Sequence, residues 1–348
     1  MNIKMSIKNM LRPILLPFVK KIYEFILVAA PGVAPLEPEL QPPYYPNLKK
    51  DALLDYLKSN PDAEEKLYCG LDEDSVKMLR RTIALIQVLP AKPIPDDLES
   101  ILYVNQEKLL TDYDKYHMAN YDRALSGYQI KYPFLAGHPA TDFYYKYGLI
   151  FLPERVKEYI KDNVFIDAGA YDGITCVMMT EFAPSKIYSF EPSPTLVKEF
   201  RKNLLLSNVS TEQYDLVQMG LGDNKRGIFI HDPASGGTSI YSYGETNVRV
   251  ITLDEFVTCN NVSRVKWIKA DIEGAAVEMI QGAYKVISRD HPILTLGVYH
   301  TPEELFEIKP LIESWNLGYK FMFRRTTTVL KYMPYEEITL IAWPETFS

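Results

Sequence analysis

The stretch Val164-Phe165-Ile166-Asp167-Ala168-Gly169-Ala170-Tyr171-Asp172-Gly173 constrains this chain most. An apolar run this short, closed by turn residues, reads as a buried strand. The glycines read as a tight turn, and a helix pattern follows. A strand, turn and helix in that order place a ligand across the carboxyl end of a parallel strand. Gly169 is expected to let backbone approach that ligand, and Gly173 to let helix and strand pack. The acid stands ahead of the glycines, as Asp-x-Gly-x-x-x-Gly. That spacing differs from the Gly-x-Gly-x-x-Gly of dinucleotide sites, and no Gly-Lys-Ser/Thr of a phosphate-binding loop follows it.

Beyond Val164 strand and helix patterns alternate. Apolar runs at 186–191, 215–219, 265–271 and 293–298 read as strands, and runs at 319–324 and 338–342 as a closing pair. Residues 174–182 read as a helix. Ser193 and Pro194 start another. A third carries Val277, Ile280, Tyr284 and Ile287 on one face. Thr301-Pro302-Glu303-Glu304 reads as a capping box ahead of Leu305, Ile308 and Ile312. Short runs at 227–230, 238–241 and 248–251 suggest a hairpin insertion. The expected fold is α/β: a doubly wound, mainly parallel seven-stranded sheet, Rossmann-like, with a mostly helical N-terminal extension.

At 348 residues the chain exceeds one typical domain. Residues 1–48 read as a basic amphipathic helix, punctuated by Lys4, Lys8, Arg12, Lys20 and Lys21, and a proline-rich arm from Pro31 to Pro46. Pro13, Pro17 and the lysine pair interrupt its apolar run short of the roughly 18 residues a spanning helix needs. Two readings stay open for residues 1–30 of a protein expected to be cytoplasmic: a helix that docks on the rest of the chain, and a basic amphipathic helix in peripheral contact with an anionic membrane surface. Residues 49–147 read as a helical part, with helices at 51–59, 72–88 and 98–113. Tyr113, Tyr116, Tyr121, Tyr128 and Tyr132 follow, separated by turn residues, then a turn at Gly137-His138-Pro139. Residues 148–348 form the sheet domain. Cys69, Cys176 and Cys259 make no CxxC pair, which favours a reducing compartment and argues against zinc. A net charge of −7 argues against a nucleic-acid partner.

Asp167, Glu191, Asp223 and Asp271 each stand at the end of one of the first strands. In a doubly wound sheet those ends share one edge, where the ligand crevice lies. One such acid would read as a helix cap; the repetition points to a ligand. Glu191 has two oxygens suited to two ribose hydroxyls. S-adenosylmethionine fits an acid-first turn, because it carries a cationic amine, a sulfonium, a ribose and an adenine but no pyrophosphate.

Phe165 to Gly173, Ser189-Phe190-Glu191-Pro192-Ser193-Pro194, Gly220-Leu221-Gly222-Asp223, Ile268-Lys269-Ala270-Asp271-Ile272-Glu273-Gly274 and Tyr299-His300-Thr301-Pro302-Glu303-Glu304-Leu305 together resemble the FkbM-type methyltransferases. The resemblance covers about residues 148–342, and Gly70-Leu71-Asp72-Glu73-Asp74-Ser75-Val76 is similar to a segment of some longer relatives. It implies a class I S-adenosylmethionine-dependent O-methyltransferase acting on a hydroxyl of a sugar, glycolipid or other small natural product. By the same resemblance Asp167, Gly169 and Gly173 hold the methionine end of the cofactor, Glu191 the ribose, and Asp223 lies by the adenine. Ala168, Tyr171, Pro192, Gly222 and Asp271 also line the cofactor. Asp271, Glu273 and His300 face the methyl group and the acceptor. In the closing strand Phe323-Arg324-Arg325-Thr326 departs from the family's Arg-His pair, which bears on acceptor contacts. His300 is the expected base, with an ordinary pKa of about 6.5. Asp271 is its rival, made more basic by burial. No metal is expected; the alternative is Mg²⁺ on Asp271 and Glu273. Tyrosines of residues 113–147, His138 and Gly236-Gly237-Thr238-Ser239 are placed as acceptor walls by position. The competing functions are a non-catalytic cofactor-binding or interaction module, and nitrogen methylation of protein or RNA, for which the Asn/Asp-Pro-Pro-Tyr motif is missing.

Overall fold

The computed structural model describes residues 50–88, 112–132, 141–224, 226–230, 246–326 and 337–347. The expected basic helix and proline-rich arm, most of the 98–113 helix, the turn at His138, the 238–241 strand and the Gly236-Gly237-Thr238-Ser239 wall lie outside those residues.

Seven strands form the main sheet. They are β1 (Val164–Ala168), β2 (Lys186–Phe190), β3 (Tyr214–Val217), β7 (Val265–Ala270), β8 (Ile293–Gly297), β9 (Tyr319–Arg325) and β10 (Ile338–Pro344). A second sheet holds β4 (Gly220–Leu221), β5 (Arg226–Ile230) and β6 (Thr246–Ile251). The main sheet runs β3-β2-β1-β7-β8-β10-β9, and β10 runs opposite to the other six strands. β1, β7 and β8 are buried along their whole length, as strands covered on both faces must be. Alternation splits their side chains between two layers. Ile166, Ala168, Ile268 and Leu294 join one core; Phe165, Trp267, Ile293 and Ile341 join the other.

The helices are α1 (Lys50–Ser59), α2 (Ala63–Tyr68), α3 (Glu73–Val88), α4 (Asp112–Lys131), α5 (Thr141–Tyr145), α6 (Glu154–Ile160), α7 (Ile174–Met179), α8 (Pro194–Leu206), α9 (Leu253–Cys259), α10 (Ala276–Gln281), α11 (Tyr284–Asp290) and α12 (Pro302–Ser314). Among the described residues no helix is long and apolar enough to cross a membrane. The first three helices bury Leu53, Leu67, Leu79, Ile83 and Ile86 in the same cluster as Ile308, Ile312, Phe321 and Phe323. Asp72 and Ser75 fasten this layer to β9. Ser75 Oγ accepts from Phe323 N–H at 2.9 Å and from Arg324 Nη1 at 2.8 Å, and Asp72 pairs with Arg324 at 3.0 Å. Arg325, its neighbour on β9, is buried and donates to Thr82 Oγ1 at 2.7 Å. The Arg324-Arg325 pair therefore makes contacts with α3.

Three local readings change. The tyrosine segment is one helix, α4, rather than a string of turns. Tyr121, Leu125, Tyr128 and Tyr132 recur at helical spacing and pack beside Phe143, Tyr144 and Tyr145. The helix expected through Val277 and Ile287 breaks into α10 and α11 at Gly282, where the Gly222 carbonyl lies too close for a Cβ, at 1.9 Å from its ideal place. The segment ending at Asp223 does not extend β3: Gly220 and Leu221 pair with Val250 and Ile251 of the second sheet.

Candidate active site at the strand ends

The turn after β1 is held by backbone. Gly169 and Ala170 N–H both donate to Phe190 O, and Asp271 N–H donates to Ala168 O at 3.1 Å. Gly169 has φ +73°, and a Cβ there would stand 1.9 Å from Asp271 O. The close approach that requires glycine is thus to the end of β7. Gly173, at φ +87°, caps α7, and its missing Cβ leaves room for Leu204 and Phe200 of α8. It serves a turn-to-helix contact, where helix against strand was expected.

Asp167 is fully buried and sits in register between Ser189 of β2 and Lys269 of β7. Ser189 Oγ donates to Oδ2 at 3.3 Å, and Lys269 Nζ stands 3.2 Å from Oδ1. Lys269 is itself buried. It donates to Gly169 O at 2.6 Å and lies over the Tyr147 ring, 5.0 Å from its centroid. Burial pushes the Asp167 carboxyl above its ordinary range, and the lysine cation only partly offsets this.

Glu191 accepts Tyr171 N–H and Ser193 N–H, each at 2.9 Å, one on each oxygen. Burial outweighs those two bonds and pushes it up to about 7. Each oxygen keeps a lone pair for a further donor. Pro192 follows it half-buried, and Tyr171 is 45% exposed with φ +49°. Gly222 is buried, while Asp223 is exposed and bonds Asn224 at 2.7 Å. Asp223 therefore stands in an exposed loop between β4 and β5.

The end of β7 meets the end of β8. Asp271 Oδ2 accepts from Tyr147 OH at 2.6 Å and from Tyr299 OH at 3.0 Å. His300 Nε2 lies 3.2 Å from Asp271 Oδ1 and 3.7 Å from Glu273 Oε2, and its Nδ1 lies 3.1 Å from Glu304 Oε2. Burial alone would lower the imidazole. The Glu304 hydrogen bond and the charges of Asp271, Glu304 and Glu273 prevail and raise it to about 9. His300 therefore carries its proton at neutral pH, which corrects the expectation of an imidazole near its ordinary value. Asp271 is corrected in the opposite direction. Burial pushes it up, but His300, Lys269 and the two phenols hold it below its usual range. Glu273 is raised by burial, against the pull of His300. It occupies the left-handed region at φ +54°, and its side chain is 40% exposed. With both phenols and the imidazole on Asp271, a cation bound there would have to displace them; among the described residues no His, Cys, Asp and Glu side chains group to hold a metal.

Sequence reasoning singled out neither Lys269 nor Asp142, and read Glu304 only as a cap. Lys269 was legible as a lone cation inside an apolar strand, opposite the acid of the neighbouring strand. Burial raises Asp142, on α5, to about 6, with Lys269, Asp172, Asp271 and Asp167 as its charged surroundings. Of the N-terminal tyrosines, Tyr147 reaches this site; Tyr121, Tyr144 and Tyr145 form a separate aromatic cluster.

The buried atoms Asp167 Oδ1, Asp271 Oδ1 and His300 Nε2 have no aligned hydrogen-bond partner. Both carboxylate oxygens face cations of the chain itself, Lys269 Nζ at 3.2 Å from Asp167 Oδ1 and His300 Nε2 at 3.2 Å from Asp271 Oδ1. Residues 167–321 match the family model described as the methyltransferase FkbM domain. Methyltransferase 1 of Beauveria bassiana (strain ARSEF 2860) is 27% identical over 145 residues, covering 35% of this chain and 58% of that protein. The crystal structure of a methyltransferase FkbM from Methylobacillus flagellatus KT superimposes with a TM-score of 0.53 at 17% identity, over 85% of this chain and 62% of that one. In both cases the match spans less than two thirds of the relative. The matched segment holds Asp167, Glu191, Asp271 and His300 on the class I methyltransferase sheet order, and residues 167–321 are similar to the methyltransferase FkbM domain.

Proposed function

We propose that this protein is an S-adenosylmethionine-dependent methyltransferase that modifies a hydroxyl of a sugar, glycolipid or other small natural product. The observation that carries the reading is the row of acids at adjoining strand ends: Glu191 after β2, Asp167 in β1, Asp271 after β7, with His300 following β8. Asp167 and the Gly169 turn, with Ala168, Tyr171 and Gly173, would hold the amino-acid end of the cofactor. Glu191 beside Pro192 would hold the ribose, and Gly222 and Asp223 would border the adenine. When bound, S-adenosylmethionine supplies an electrophilic methyl on a sulfonium.

This chain's part is to align the acceptor oxygen and take its proton. His300 holds a proton at neutral pH, and its Nε2 is buried against Asp271. Asp271 is weakly basic and already accepts two phenols. Of the two carboxylates that face His300 Nε2, Glu273 is raised where Asp271 is lowered, and it reaches solvent. We therefore assign the base role to Glu273, with His300 as the cation that orients it and Asp271. The chain's acidic balance supports a neutral or cationic acceptor over nucleic acid.

The test uses S-adenosylmethionine labelled in the methyl group and a panel of free sugars, glycolipids and hydroxylated small molecules. Label is expected in a base-stable ether with the wild-type chain, and at about a hundredth of that rate or less with Glu273→Gln. Cofactor binding without label on any acceptor would overturn the enzymatic reading and leave a binding module.

A further inference from the structure

Glu304 is the third residue of α12 and is fully buried. In a capping box the carboxylate at that place turns back to the N–H of the cap residue. Only half of that box forms here: Thr301 Oγ1 accepts from Glu304 N–H at 3.2 Å. The carboxylate goes elsewhere. Its Oε2 accepts the His300 backbone N–H at 3.2 Å and lies 3.1 Å from His300 Nδ1. Its Oε1 accepts Ala276 N–H at 3.1 Å. A buried carboxylate is costly unless its oxygens are met. These are met by one ring and two backbone amides from two different loops. Ala276 is the first residue of α10 and ends the turn that carries Asp271 and Glu273. One carboxylate thus holds both halves of the acceptor side.

We propose that Glu304 is a positioning residue: it fixes the His300 ring with Nε2 toward Asp271 and Glu273, and it locks their turn against that ring. The inference deepens the methyl-transfer reading and rests on it only for the effect on turnover. The groups around the ring are Asp271 and Glu273 from the turn after β7, Glu304 from α12, and the Tyr299 ring at 4.1 Å. Lys269 and Tyr147 act on it through Asp271. With Nδ1 engaged, the imidazole cannot turn over without abandoning a buried carboxylate.

The test is nuclear magnetic resonance of the full chain labelled with ¹⁵N-histidine. The chain has five histidines, and His300→Asn identifies the signal that belongs to position 300. A slowly exchanging, downfield Nδ1–H is expected in the wild type. Glu304→Gln keeps the shape, but one amide oxygen cannot serve donors on both sides, so the signal should move upfield and exchange faster. Glu304→Asp, which keeps charge but shortens the reach, gives the same readout if the glutamine variant does not fold. S-adenosylhomocysteine should bind Glu304→Gln within about threefold of wild type, while methyl transfer to the acceptor panel falls by about 100-fold. An unchanged Nδ1–H in the variants overturns the positioning role, whatever happens to turnover. Failure of the wild type to bind S-adenosylhomocysteine overturns the methyltransferase reading instead, and leaves the ring signal to decide the role of Glu304.

Discussion

Replacing Lys269 by methionine removes an ammonium that sits beneath the β1 turn. The side chain is 3% exposed, so little water replaces it. Asp167 then keeps a buried charge without its cation, and breaking such a pair from one side costs about 3–5 kcal/mol. The Gly169 carbonyl also loses its 2.6 Å donor, a loss on the order of 1–3 kcal/mol. Both losses come from one group and do not simply add. Asp167 also limits the cost by taking up a proton. A net loss of about 4 kcal/mol follows, which lowers Tm by roughly 5 °C in a chain of this size. The pH dependence has a definite sign. Asp167 is already raised in the folded protein, and without the lysine it rises further above its unfolded value of about 3.9. A raised carboxyl favours folding below the unfolded pKa and loses that contribution as pH climbs through the folded one. The deficit should therefore be smallest near pH 4 and widen toward neutrality. Thermal unfolding across that range measures it. Asp167→Asn in the Lys269→Met background should recover more than half of the loss. A deficit below about 1 kcal/mol, or one that is flat with pH and not recovered by Asp167→Asn, would refute the reasoning.

Three further outcomes follow from the same geometry. His300, raised to about 9, contributes stability fully below its unfolded pKa and loses it as pH rises through the folded value. His300→Asn should therefore flatten the stability curve between about 6.5 and 9 by about 3 kcal/mol, read by urea unfolding. Gly169→Ala places a Cβ 1.9 Å from Asp271 O at a positive φ; calorimetry should find S-adenosylhomocysteine binding weakened by at least roughly tenfold, and unchanged binding would discount the turn. Ser75→Ala leaves Phe323 N–H without its partner, so it should cost about 1–3 kcal/mol by chemical unfolding while cofactor affinity stays the same.

The sheet was legible in the sequence because β1, β7 and β8 are continuous apolar runs bounded by turns, and parallel strands buried on both faces must look that way. Ser193 reads as a cap and is one: its Oγ accepts Leu196 N–H at 3.1 Å. The misread elements depend on partners distant in the chain. The two-residue strand at Gly220 exists only because β6 returns beside it. The tyrosine segment becomes a helix because α5 and the turn after it cover its aromatic face. At the candidate site the acids could be located by their places at strand ends, but their chemistry could not. The basicity of His300 is set by Glu304, Asp271 and Glu273, and that of Asp271 by His300, Lys269, Tyr147 and Tyr299. Tyr147 arrives from a kinked turn ahead of β1, where Lys146, Tyr147 and Gly148 all have positive φ. No spacing rule along the chain connects it to Asp271.

The acids at the ends of β2, β1 and β7 are proposed to hold one S-adenosylmethionine. Isothermal titration of the full chain with S-adenosylhomocysteine tests it most directly, beside Asp167→Ala and Glu191→Ala. The wild type should bind one molecule per chain, and Asp167→Ala none detectably. Glu191→Ala should bind at least about 100-fold more weakly, through loss of paired hydrogen bonds to a buried carboxylate. Wild-type affinity retained by both variants would contradict it.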